Sequence, residues 1–300
     1  MKNVLLLNTG VVGRLLAPQL ARAGHRVRVL TRTATPHPEW DALGIEQAEA
    51  DMTTSELPRA VFQGVSRFFW VMPVVEQFAE VAEAVLRQAR AAGVPYIVRH
   101  SEGGADQPRI RLSRWHAEAD RQLAESGLAY TILRPTSFMQ NLFRDHQQSI
   151  CHDQLLRAAT GNGRQAFVDA ADVADAAATV LTTEGHAGKT YALTGNRAYS
   201  WFEVANLLTL LLGCRVAFQP LSDEQVAAQL QEAGVPRWLQ EAIQGFNQEI
   251  RTGGVVDRVR PDLGRLLGRP PKELGAFLLE HAEAFQPVNP FATTPLLTRS

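Results

Sequence analysis

Val4-Leu5-Leu6-Leu7-Asn8-Thr9-Gly10-Val11-Val12-Gly13 places an apolar run, a polar pair and two spaced glycines in succession. Val12, Leu15, Leu16, Leu20 and Ala23 then recur at helical spacing, and Gly24 follows as a stop. A strand feeding a glycine turn that opens a helix is the arrangement a phosphate-binding turn requires. Backbone N–H groups at a helix N-terminus reach an anion only where side chains leave room.

Downstream the pattern repeats. Strands are predicted at 26–30, 46–50, 67–72, 96–100, 130–134 and 165–168, with helices at 75–92 and 112–126 closed by Gly93 and Gly127. Alternating β and α elements predict an α/β fold, a doubly wound parallel Rossmann sheet. The reading assigns residues 1–185 to a dinucleotide-binding domain with a substrate-pocket insertion near 136–163. Residues 186–300 form a smaller, mainly helical substrate region, with helices from the capping box Ser200–Glu203 to Leu212, at 222–233, at 236–251 and at 272–285. A frayed tail is expected from Pro287.

The chain has 300 residues, with 30 basic against 31 acidic. That balance gives nucleic acid or an anionic membrane nothing to bind electrostatically. At 45% hydrophobic residues the chain holds enough apolar material for a large core. The two cysteines, Cys151 and Cys214, are too few for a disulfide framework, and no apolar run has signal-peptide or membrane-spanning length. A cytoplasmic protein with a small-molecule substrate is expected, self-association being left open.

Arg32 follows the second strand, where folds selective for the unphosphorylated dinucleotide carry a ribose-binding carboxylate. Its guanidinium fork suits a 2′-phosphate, which favours NADPH over NADH. Met72 and Pro73 end the fourth strand and are candidates for a wall beside the cofactor. His146, Cys151, His152 and Asp153 are metal-ligand types, but adjacent side chains point apart and no metal site is expected. Asp172 is read as the cap of a helix over 173–181, and Trp201 and Trp238 as packing anchors.

The glycine turn, the run Gly127-Leu128-Ala129-Tyr130-Thr131-Ile132-Leu133-Arg134-Pro135, the following Phe138-Met139-Gln140-Asn141 and Ala166-Phe167-Val168-Asp169-Ala170-Ala171-Asp172-Val173-Ala174 together resemble the NmrA-like branch of the atypical short-chain dehydrogenases. The resemblance spans nearly the whole chain. It implies that Asn8, Thr9, Gly10, Val11, Val12 and Gly13 cradle the dinucleotide, and that Asp51 contacts adenine. It implies a retained serine at Ser101, with His100 beside it, and a substrate pocket at Pro135, Phe138, Met139 and Asn141.

Two departures matter. Leu7 stands at the family's first turn glycine, where its side chain is expected near the path of the adenosine half. Leu112 and His116 occupy the positions of the Tyr-x-x-x-Lys pair, so the proton-donating tyrosine is missing. The resemblance and Leu112 together imply an NADPH-dependent reductase passing hydride to a quinone, azo compound or conjugated enone, with Ser101 and His116 as catalytic candidates. Two other readings stay open: a non-redox isomerase or cyclase with a degraded cofactor site, and a non-catalytic NAD(P) sensor acting through a protein partner.

Overall fold

The computed structural model describes residues 1–7, 10–54 and 56–286; Asn8, Thr9 and the tail from Pro287 lie outside them. In chain order the elements are β1 (Asn3–Leu7), α1 (Gly10–Arg22), β2 (Arg26–Thr31), α2 (Pro38–Ala42), β3 (Glu46–Glu49), β4 (Arg67–Val71), α3 (Phe78–Ala91), β5 (Tyr96–His100), α4 (Arg111–Glu125) and β6 (Ala129–Pro135). There follow α5 (Asn141–Asp153), β7 (Leu155–Ala158), β8 (Arg164–Gln165), α6 (Ala170–Thr182), β9 (Lys189–Leu193), β10 (Tyr199–Ser200) and α7 (Trp201–Leu212). The chain continues through β11 (Ala217–Pro220), α8 (Asp223–Glu232), α9 (Arg237–Thr252), α10 (Asp262–Leu267) and α11 (Leu274–Glu280).

Seven strands form one parallel sheet in the order β3-β2-β1-β4-β5-β6-β9. The order reverses between β1 and β4, the switch point at which such sheets bind ligands beyond their carboxyl ends. Strand alternation divides the core. Val4 and Leu6 pack with α1 and α6, whereas Leu5 and Leu7 pack with α3 and α4. A third core gathers α5, β7, α7, β11 and α11 around Leu142, Phe167, Trp201 and Phe277. Among the described residues no helix is long and apolar enough to cross a membrane.

Several elements differ from the sequence reading. β9 lies beyond residue 185 yet completes the Rossmann sheet, and β10 and β11 add short strands to the region read as helical. The strand expected at 165–168 shortens to Arg164–Gln165, because the chain turns so that Val168 bridges Phe138. Asp169, not Asp172, caps α6, its carboxylate accepting from Ala171 N–H at 3.0 Å. Asp172 sits inside the first turn, paired with Arg269 at 2.7 Å. The helix expected at 272–285 is split, α11 ending at Glu280 and a separate 3₁₀ turn spanning Ala282–Phe285.

Candidate active site at the sheet's carboxyl edge

Gly10 adopts φ +41°, a conformation favouring glycine, and a methyl group there would meet nothing within 4 Å. It opens α1, whose first turn contains no acidic residue to oppose an anion. Val11 is exposed, whereas Val12 and Gly13 are buried against the sheet. The expectation for Leu7 is corrected. Its side chain is 1% exposed and turned into the core beside Leu5, Leu30, Trp70 and Phe78, because strand parity gives it the same face as Leu5. The open turn, the uncharged helix end and exposed Arg32 suit an anionic dinucleotide.

Asp51 is exposed and folds into a turn of its own, accepting from Thr53 N–H at 2.9 Å and Thr53 Oγ1 at 2.7 Å. Those hydrogen bonds, with Arg32 adding a smaller contribution, hold its carboxyl below the ordinary value. Met72 is buried in the α3 side of the core, leaving Pro73 as the more accessible of that pair.

At the ends of β5 and β6 the chain buries a charged network that the sequence reading missed. Asp120 on α4 accepts from Arg99 Nε at 3.0 Å, from Ser101 Oγ at 2.9 Å and from Arg134 Nε at 3.0 Å. Arg99 is fully buried, its guanidinium carbon 4.4 Å from the Trp70 ring centre. Its Nη2 lies 3.4 Å from His116 Nδ1. Burial first, then the Arg99 and His100 charges, push the His116 imidazole well below its usual pKa, so the ring is neutral at physiological pH. With Nδ1 accepting from the guanidinium, Nε2–H is the remaining donor.

A sequence signal for this network exists. Ser113, His116 and Asp120 occupy the buried stripe of α4 at helical spacing, and Arg99 interrupts an apolar strand.

Ser101 stands at the end of β5, as expected, but is 1% exposed with its hydroxyl committed to Asp120. His100 packs between Phe69 and Phe138, with ring centres 6.0 and 5.9 Å away, and burial lowers its pKa to about 4. His100 and Phe138 therefore meet. Met139 does not join them: it is 1% exposed in the third core, because neighbouring residues leave the chain in opposite directions and its N–H is tied to Val168 O at 2.9 Å. Pro135 is buried at the end of β6, and Asn141 is the first residue of α5. Beside the network opens a cavity of about 350 Å³ lined by Gly103, Asp106, Arg134, Thr136, Thr194 and Arg258.

The metal-ligand types around 146–153 are dispersed: the His146 ring packs 4.6 Å from Trp201, and Cys151 Sγ donates to Ala284 O at 3.5 Å.

An NAD(P)H-binding family model matches residues 8–184. The NAD(P)H azoreductase of Xenophilus azovorans is 31% identical, over 92% of this chain and 96% of its own. The NADPH complex of a quinone oxidoreductase from Escherichia coli superimposes with a TM-score of 0.80 at 28% identity, covering 93% of this chain and 99% of that one. A Citrobacter triphenylmethane reductase bound to NADP(H) gives a TM-score of 0.81 at 25% identity, over 93% and 99% of the two chains. The chain shares its fold with NmrA at a TM-score of 0.72 and 14% identity, belongs to the NAD(P)H-binding family and is an oxidoreductase.

Proposed function

We propose that the protein is an NADPH-dependent reductase whose acceptor is an extended electrophile of the quinone, azo or conjugated enone type. The observation that carries this reading is that the positions of the short-chain dehydrogenase tyrosine and serine offer no free hydroxyl. Leu112 replaces the expected tyrosine, and the Ser101 hydroxyl is buried and engaged by Asp120. A plain ketone develops alkoxide charge as hydride arrives and needs such a donor, whereas a conjugated acceptor spreads that charge over its own framework.

NADPH, when bound, supplies the hydride. The chain's own residues do the rest. The open turn at Gly10 and the N-terminus of α1 receive the diphosphate, and Arg32 offers its fork to the 2′-phosphate. Neutral His116, steadied by Arg99, offers Nε2–H to the ribose or the acceptor, and His100 with Phe138 forms an apolar wall suited to a flat ring. The azoreductase, quinone oxidoreductase and triphenylmethane reductase act, according to their names, on azo, quinone and triphenylmethane compounds, which agrees with this acceptor class.

The test is NADPH consumption at 340 nm with a soluble quinone, an azo dye, a conjugated enone and a saturated ketone of similar size. Turnover of the first group with little on the ketone is expected. Equal rates on the ketone, or tight NADPH binding with no oxidation by any acceptor, would refute the proposal, and the latter would favour a sensor.

A further inference from the structure

β9 is an edge strand of the sheet, and its two faces meet different surroundings. Tyr191 and Leu193 pack into the core with α6 and α10. By strand alternation Thr190, Ala192 and Thr194 face the other way, to the side on which Arg134 of β6 reaches α4. The irregular segment 255–261 roofs them, and the space between is the cavity of about 350 Å³ beside the Asp120 network.

The roof is tied down. Arg260 N–H donates to Thr194 Oγ1 at 2.9 Å, Ala192 N–H donates to Asp262 Oδ2 at 3.0 Å, and Ala166 N–H donates to Val256 O at 2.8 Å. The cavity is therefore preformed, and a ligand entering it meets little ordering cost.

Its charge is unbalanced. Arg134, Arg258 and Arg260 line it against two carboxylates, Asp106 and Asp262. Both carboxylates are engaged: Asp106 pairs with Arg134 at 3.3 Å, while Asp262 holds the Ala192 N–H and stands 3.8 Å from Arg265. Among the described residues neither Arg258 nor Arg260 forms an ion pair, and the Arg258 fork reaches only Gln107 Oε1, at 3.4 Å. Two guanidinium groups, two residues apart, are left facing one cavity.

An arginine fork binds oxyanions bidentately, and a phosphate has oxygens enough for two forks where a carboxylate serves one. The volume equals the liquid share of about a dozen waters. That is more than a bare phosphate fills, and it leaves room for a small organic body against Ala192, Val255 and Pro261.

We infer that this cavity binds a small phosphate monoester, its phosphate held between Arg258 and Arg260. The monoester is a second ligand, distinct from the hydride acceptor. His100 and Phe138, the wall assigned to the acceptor ring, pack with Phe69 on the α1 and α6 face of the sheet, whereas Arg134 and the cavity lie on the α4 face. The inference stands independently of the reductase reading.

Calorimetric titration of the full-length protein without cofactor tests it, with phenyl phosphate, inorganic phosphate and benzyl alcohol as probes. Phenyl phosphate is expected to bind at least about tenfold more tightly than either of the others, since the alcohol lacks the charge and inorganic phosphate lacks the body. Arg258→Gln/Arg260→Gln, at positions outside the core, should weaken it at least about tenfold. Thr190→Glu, which sets a carboxylate at the cavity wall, should do the same. Arg32→Ala should leave phenyl phosphate binding unchanged, because that side chain lies across the sheet at the end of β2. Phenyl phosphate binding no tighter than benzyl alcohol or inorganic phosphate, or undiminished in the folded double variant, overturns the inference. Binding lost in Arg32→Ala but kept in the double variant also overturns it, by moving the anion to the α1 turn. If the double variant does not fold, Thr190→Glu decides.

Discussion

Asp120→Asn isolates the energetic consequence of the buried network. Asp120 is 4% exposed and bonds Arg99, which is fully buried, through one oxygen, while Ser101 and Arg134 share the other. Asparagine keeps the shape but removes the charge, and its amide NH₂ must face a guanidinium or a hydroxyl that was donating. Among the described residues Arg99 forms an ion pair with Asp120 alone, and its Nη1 is already without a partner. Losing one member of a buried pair costs about 3–5 kcal/mol, because the other charge is left uncompensated in low dielectric.

Arg134→Gln is a graded control. Arg134 is 17% exposed and keeps a second carboxylate, Asp106 at 3.3 Å, so its loss should cost about 1 kcal/mol. Urea unfolding of the full chain measures all three proteins, and the double variant Arg99→Met/Asp120→Leu should recover much of the stability by replacing the pair with apolar volume. A cost below about 1 kcal/mol for Asp120→Asn, or a double variant less stable than the single, would refute the reasoning.

Leu7→Ala should destabilise by about 2–5 kcal/mol in urea without strengthening NADPH binding, since it empties core volume rather than the dinucleotide crevice; a gain in affinity would place the side chain in the cofactor's path. Arg32→Ala should weaken NADPH about tenfold or more and leave NADH nearly unchanged, as read by nicotinamide fluorescence. Stability should also fall on acidification below about pH 6.5. Burial keeps His116 neutral and lowers His146 to about 4, so the unfolded chain takes up protons that the native one refuses. His146 alone accounts for about 2 kcal/mol by about pH 5, and His146→Phe should flatten that part of the urea-measured profile.

The sheet was largely legible because its strands are apolar runs between glycine and helical stripes; Tyr96–His100 is found at its predicted bounds. β9 was not, since Lys189-Thr190-Tyr191-Ala192-Leu193 is an edge strand, half-exposed and mixed in character, and periodicity scarcely separates it from a loop. Leu7 shows the limit at the site. Its place in a motif suggested obstruction, yet strand parity decided where the side chain went. Phe138 and Met139, which the motif groups together, part where the chain turns after the Phe138–Val168 bridge. Arg99 and Asp120 escaped notice because charges in apolar stripes gain meaning only once β5 and α4 are brought together.

The most direct test of the account is a single turnover. Protein loaded with NADPH is mixed with excess soluble quinone, and absorbance at 340 nm is followed together with the reduced acceptor. The account predicts that bound NADPH is consumed in equal measure with acceptor reduced, and that a saturated ketone leaves it intact. NADPH that remains bound and unoxidised in the presence of every conjugated acceptor would contradict it.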